Sequence, residues 1–529
     1  MIRKRHLCLL MLPAILLLAA AFWRVAASPA TAPALGSYDD VNRPPAIKPA
    51  YRDCVIPPNI APLDFVVAEA GSRYFVKIRA AQGRPIEISS RSPVVRIPVR
   101  RWRDLLTRNR GGRLSLEVFV ESTPATGGGP RWKRFAPLQN GIAQEDIDRF
   151  LVYRKIHPAH SAWRDIGIYQ RDLTGFDESP VLTNDSFEKG CLNCHTFCGN
   201  RTRTMLISTR SGKYNSAAII IDDGRVQKVG TKFGYTAWHP SGKIVTFANT
   251  TVALFLHAAA AEIRDVIDLD SFLACYRVDQ KIIETAPPLA RKDRLETYPT
   301  WSPDGRYLYF CSAPLLWENR RAIPENYRDV KYDLVRVAYD IERNQWGELE
   351  TVLSAQETGR SILLPRISPD GRWLLFCMCD YGCFPIYQES SDLYLMDLNA
   401  APTEDARPYR RLDINSEHSE SWHSWSSNSR WVAFSSKRDN GVFTRIYISH
   451  VDPNGVVSRP LLLPQKDPTF YDSCLNTYSV PELVVEPVPI TGEKLARAVR
   501  TGDAISAQMP ITMATPKTQP EEPYVQTRE

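Results

Sequence analysis

Apolar and polar residues alternate along most of this chain, which predicts strands rather than helices. Four segments with that alternation align without gaps. They are Trp238-His-Pro-Ser-Gly-Lys-Ile-Val-Thr-Phe247, Trp301-Ser-Pro-Asp-Gly-Arg-Tyr-Leu-Tyr-Phe310, Ile367-Ser-Pro-Asp-Gly-Arg-Trp-Leu-Leu-Phe376 and Trp425-Ser-Ser-Asn-Ser-Arg-Trp-Val-Ala-Phe434. Each reads as the end of one strand, a Pro-Asp-Gly type turn, then a second strand. Asp392–Leu398 and Arg445–Asp452 add a further alternating strand to the last two units. Radial repetition of three or four strands per unit is the pattern of a β-propeller. Two weaker units, Met205–Gly230 and the strands through Leu463, flank the clear four. Six blades are expected, with five or seven also compatible. The turn acids are too far apart to cage a cation and are read as turn formers.

Residues 40–180 carry different strands: Phe65-Val-Val, Tyr74–Ile78, Val94–Val99 and Leu114–Val120. They predict a β-sandwich-like domain with a helix over Gln144–Tyr153. The expected organisation is a signal peptide or N-terminal anchor (1–27), the sandwich-like domain (40–180), a short chemistry-bearing segment (181–204), the propeller (205–485) and a mobile tail (486–529). The fold class is all-β.

Composition adds two constraints. With 529 residues, 43% hydrophobic and 24% charged, the chain can build sizeable cores. Its net charge of +7 includes four basic residues and no acid in 1–27, so the remainder is close to neutral. Nothing in that balance points to nucleic acid. Arg3-Lys-Arg5 followed by an apolar run to Phe22 and Val25-Ala-Ala27 fits an export signal. The run is short for a membrane span of about 20 residues, although an uncleaved anchor is the alternative. Export sets the redox context for the 11 cysteines. Those outside positions 8, 191 and 194 number eight, compatible with disulfides or buried thiols. Cys377, Cys379 and Cys383 lack a second ligand pair at zinc spacing.

One motif carries chemistry. Cys191-Leu-Asn-Cys194-His195 is C-x-x-C-H, the attachment sequence of haem c. Two thiols at this spacing can form thioethers to both vinyl groups, and the adjacent imidazole can serve as proximal iron ligand. A redox dithiol would want a thioredoxin-like βαβ setting, and a zinc half-site would need a second half. The sixth ligand decides between electron transfer and ligand chemistry. Met205, ten residues beyond His195, is the candidate distal ligand, with His239 and His423 as alternatives. His157 and His160 could also fold back toward the iron, although a solvated loop is the simpler reading.

The Trp-Ser-Pro-Asp-Gly-Arg units resemble the repeats of TolB-like propellers. Together with Asp148–Arg154, Gly167–Leu173, Cys191–Phe197, Asp380-Tyr-Gly-Cys-Phe-Pro385 and Leu463–Pro468, they resemble a family of exported TolB-like proteins with one C-x-x-C-H before the first blade. The resemblance implies a monohaem c-type protein but no substrate, and Cys198 has no place in it. Localisation in the periplasm or on the outer face of the cytoplasmic membrane is expected. The preferred function is single-electron transfer to a protein partner docked on the propeller. A peroxidase-type haem enzyme and a protein-binding scaffold with a structural or sensory haem are the alternatives.

Overall fold

The computed structural model describes residues 38–123, 129–157, 165–257, 260, 262–400, 409–501, 503–506 and 525–528. The expected signal segment and His160 lie outside the described residues.

Residues 38–142 build the N-terminal domain. A seven-stranded sheet is centred on Arg113–Ser122, which pairs with Arg73–Arg79 along one edge and with Arg131–Phe135 and Leu138–Ile142 along the other. A three-stranded sheet, Ile47–Lys48, Phe65–Val67 and Val94–Val95, accompanies it. Between them runs helix α1, Val99–Arg108, which the strand pattern had hidden. Trp102, Leu105 and Leu106, at helical spacing, are buried, and the Trp102 indole donates to the Ile60 carbonyl at 3.2 Å. The helix expected over Gln144–Tyr153 does not form, because Phe150–Ile156 is a strand.

Six four-stranded blades follow, the third with a fifth strand on its edge. The fold is a six-bladed β-propeller. Blade 1 takes its outer strands from Phe150–Ile156, Ile166–Asp172 and Glu178–Thr183, and its innermost strand, Thr477–Val484, from near the other end of the chain. The ring is thus closed by antiparallel pairing of Phe150 with Val484 through Ile156 with Thr477. The propeller consequently begins near residue 150, not 205. What was read as the last part of a sandwich is a blade completed by a distant strand. Blades 2 to 6 open with the innermost strands Cys191–Cys198, Gly234–Trp238, Arg294–Trp301, Ser361–Ile367 and Glu420–Trp425. The segment expected at 181–204 is therefore not separate: it runs from the end of a blade 1 strand through the inner strand of blade 2 into the next strand.

The repeated sequence builds one end of each inner strand. In blade 4 the Ser302 hydroxyl donates to Asp304 at 2.5 Å and accepts from the Tyr307 N–H at 2.9 Å. Gly305, at φ +72°, closes the turn. Ser368 with Asp370 and Ser426 with Asn428 repeat the arrangement, so these polar side chains form turns. The aromatic residues of the repeat are core: Trp301, Phe310, Trp373, Phe376, Trp425 and Phe434 are all buried. Apolar clusters fill the seams between successive blades, and the largest joins blades 1, 4, 5 and 6 to the N-terminal domain. Beyond Glu486 the expected tail contains helix α2, Gly492–Thr501, which buries Leu495, Ala496 and Val499 against blades 1 and 2.

Candidate functional site

Every inner strand is interrupted at the same level. The ladder between first and second strands skips residues 193–194 in blade 2, 235–236 in blade 3, 298–299 in blade 4, 364–365 in blade 5 and 422–423 in blade 6. In blade 1 the interruption falls at residues 480–481. Tyr235, Tyr298, Leu364, Trp422 and Val480 adopt positive φ of 41–54° there, unusual for bulky side chains. Such bulges re-aim side chains and concentrate at functional sites. Here they turn Cys194 and the skipped residues of the other five blades toward the propeller axis. They line a cavity of about 90 Å³ on the channel.

The motif sits in this ring. Cys194 occupies the bulge position held by Thr236, Pro299, Pro365, His423 and Pro481 in the other blades. His195 takes the next position, held by Arg366 and Glu482 in blades 5 and 1. All of these side chains line the cavity. His195 is completely buried, and neither ring nitrogen has a hydrogen-bond partner. Burial lowers its pKa to about 3, with a further push from the Arg154 charge, against weak opposition from the nearby Val152 and Val480 backbone. The ring is therefore neutral, with neither nitrogen at hydrogen-bond geometry to a side chain or main-chain group, although the Val152 and Val480 backbone lies close enough to favour the charged form. A buried polar atom without a partner is costly, and a metal bond is one way to satisfy it. Cys191 is buried beside this wall, and burial raises its pKa. All ten described cysteines are free thiols.

The rest of the wall is charged on one side and aromatic on the other. Arg366 pairs with the buried Glu482, whose pKa burial raises, and its Nε donates to the His423 carbonyl at 3.3 Å. Arg154 donates to Ser479 at 3.2 Å, and the Thr196 and Thr236 hydroxyls bond at 2.9 Å. Opposite stand Tyr235 and Tyr298, with ring centroids 4.3 Å apart, and Trp422 with Phe384 at 5.7 Å. This ring of bulges was not visible in the sequence. Its signal is an aromatic or proline two or three residues before each repeat turn.

The three distal candidates separate clearly. Met205 lies opposite Phe197 on the second strand of blade 2, fully buried in the seam with Leu192, Ile207 and Ile219. It does not line the cavity, because the antiparallel ladder carries it away from the bulge. His239 belongs to the first repeat turn, where its ring nitrogens engage Ser241 and the Gly305 carbonyl. Only His423 lines the cavity. Its Nε2 bonds the Leu375 carbonyl at 3.0 Å, and its Nδ1 lies 3.8 Å from the Cys377 sulfur. Burial lowers its pKa to about 3. His157 ends a blade 1 strand and is half-buried. Among the described residues no group of three or more His, Cys, Asp or Glu is placed to hold a metal ion, Cys377, Cys379 and Cys383 included.

No family model and no curated protein matches the chain. Among solved structures it is similar to the hydrazine synthase of Kuenenia stuttgartiensis, at 14% identity and a TM-score of 0.29, covering 50% of this chain and 63% of that one. It is also similar to a puromycin hydrolase, at 15% and 0.34, covering 59% and 45%. A prolyl endopeptidase gives 10% and 0.32, covering 60% and 42%. The chain spans less than two thirds of the length of each. Likeness at this level adds nothing to the chemistry of the site.

Proposed function

We propose that the chain is an exported, monohaem c-type cytochrome with a TolB-like propeller, exchanging single electrons with a protein docked on it. One observation carries the reading: His195 is fully buried on a cavity wall, directly after Cys194, with both ring nitrogens unpartnered. A haem c, when bound, would supply a one-electron iron couple. The protein's own residues define its setting. Cys191 and Cys194 offer two thiols for covalent attachment, and His195 offers a neutral nitrogen facing the cavity. Arg154 and Arg366 place positive charge on the wall, suited to carboxylates on a cofactor's rim.

A peroxidase-type haem enzyme is the second reading. It is favoured by the position of Met205 in the blade seam and by the engagement of His423 with Leu375. Together these leave the wall without a ready second ligand. Optical spectra of the exported protein, with a potentiometric titration, separate the readings. A low-spin spectrum and a reversible one-electron wave support electron transfer. A high-spin spectrum with rapid peroxide turnover supports the enzyme. Absence of any haem absorbance overturns both.

A further inference from the structure

One wall residue comes from neither the inner strands nor the blade 1 strand that carries Arg154. Phe384 belongs to the Asp380–Pro385 loop, which leaves the second strand of blade 5. This loop is held from two sides. The Tyr298 hydroxyl donates to the Cys383 carbonyl at 2.7 Å, and Gly382 is fixed by Val330 and Ser361. From the other side comes the long hairpin of blade 3, strands Ile244–His257 and Arg264–Arg277. Each strand has 14 residues, against six to ten in the second and third strands of the other blades. Pairing with the inner strand ends at Ala248, so the hairpin overhangs its own blade.

The overhang reaches across three neighbouring blades by polar contacts. Leu269 accepts from the Trp317 indole at 2.9 Å, and Asp268 accepts from the Tyr332 hydroxyl at 3.1 Å, both from blade 4. In the blade 5 loop, Tyr381 donates to Asp265 at 2.8 Å, and the Cys383 thiol points to the Val266 carbonyl at 3.6 Å. Glu262 pairs with Lys437 of blade 6 at 2.5 Å, and Arg264 lies 4.6 Å over the Tyr387 ring. Asp265 and Asp268 are buried, and beside them Phe255, Ile267 and Leu269 pack with Ile323 and Tyr327 of blade 4 in an apolar cluster that Tyr381 borders, so the contacts to the blade 5 loop are side-chain latches and not the backbone ladders within a blade.

We propose that the blade 3 hairpin and the Asp380–Pro385 loop form a gate over the channel, and that Phe384 is the residue that sets the size of molecule reaching Cys194 and His195. The hairpin holds the loop through Asp265–Tyr381 and Val266–Cys383, and the loop holds Phe384 against Trp422 in the wall. Release of the latch frees the one aromatic residue of the wall that no inner strand fixes. The inference rests on the channel cavity being the working site, not on haem attachment.

The test uses the full-length chain made without haem-attachment machinery, so that Cys194 remains a free thiol. Its alkylation by iodoacetamide and by a bulky maleimide is followed by peptide mass, with Cys198, outside the cavity, as internal reference. Phe384→Ala is expected to speed alkylation of Cys194, more for the bulky reagent, with Cys198 unchanged. Tyr381→Phe removes one latch hydrogen bond and is expected to raise the Cys194 rate by up to about tenfold, through the open population. Phe384→Leu, which keeps apolar bulk, serves if the alanine variant melts early. Unchanged Cys194 rates in Tyr381→Phe and in the Phe384 variant would overturn the gate. Failure of haem attachment in exported protein would overturn the cytochrome reading and leave this measurement intact.

Discussion

Blade 2 and blades 3 to 6 share one architecture and differ in what they spend sequence on. In blades 3, 4 and 6 the inner strand ends in Trp238, Trp301 or Trp425, followed by a five-residue polar turn. In blade 2 the same ladder position holds Thr196, and the strand reverses through Gly199-Asn200, both at positive φ. Earlier in the strand, Cys191 takes the place of the buried acids Glu296 and Glu420, and Cys194 takes that of Thr236, His423 or a proline. Residues that repeat serve turns and seams. Departures from the repeat face the channel, and there the chemistry is concentrated.

The largest expected effect breaks the comparison at its chemical end. Cys191→Ala or Cys194→Ala should each remove most of the covalent haem per chain, and His195→Ala should lose the proximal ligand. His423→Ala, at the same ladder position as Cys194 but in blade 6, should leave covalent haem in place. Haem-stained denaturing gels and optical spectra read both. Equal haem retention in all four variants would mean that blade 2 is not special.

Next comes packing. Trp301→Ala should cost about 3–5 kcal/mol, because the buried indole fills the seam beside Tyr339 and donates to Thr246. Thr196→Ala, at the corresponding position of blade 2, removes one hydroxyl pair and should cost only about 0.5–1.5 kcal/mol. Denaturant midpoints compare the two, and equal losses would contradict the division of labour.

Much of this was legible beforehand, and the failures have physical causes. The propeller and the buried repeat aromatics followed from turn chemistry and alternation, both local properties. The number six matched for another reason: the unit expected through Leu463 is the outer strand of blade 6, and blade 1 makes up the count. Blade 1 was misassigned because its inner strand, Thr477–Val484, is more than 300 residues from its partner Phe150–Ile156 and carries no repeat turn. Helix α1 follows a strand-like Val94–Val99 run and was absorbed into it. Met205 was chosen for nearness in sequence, but strand register, not separation, decides which way a side chain points. Within the expected tail, 492–501 is helical because Leu495, Ala496 and Val499 make a short apolar stripe that composition dilutes; 507–524 lie outside the described residues. The channel ring escaped notice because a bulge is a property of pairing.

A smaller effect concerns the acid that Cys191 replaces. Burial raises the pKa of Glu296 from 4.5 to about 8, against the pull of Arg291. Below about pH 4.5 both folded and unfolded chains hold the proton. Between 4.5 and 8 only the folded chain keeps it, so stability should fall as pH rises through that window. Glu296→Gln should abolish about 2–4 kcal/mol of that fall, read as denaturation midpoints at pH 5 and pH 8. An unchanged pH dependence would show Glu296 to be ionised in the fold.

The smallest effect sharpens the turn comparison. Gly305→Ala places a methyl 2.4 Å from the His239 ring at φ +72° and should cost about 1–2 kcal/mol or more. Gly199→Ala in blade 2 meets nothing within 4 Å and should cost no more than about 1 kcal/mol. Thermal midpoints that reverse this order would contradict the turn assignments.

The central claim is that blade 2 carries a covalent haem on the channel wall. Its most direct test is the intact mass of the exported protein after denaturation, with the peptide spanning Cys191–His195 identified. The account predicts a chain heavier than the mature polypeptide by one haem, with the added mass on that peptide. A chain of unmodified mass, with Cys191 and Cys194 both open to alkylation, would contradict it.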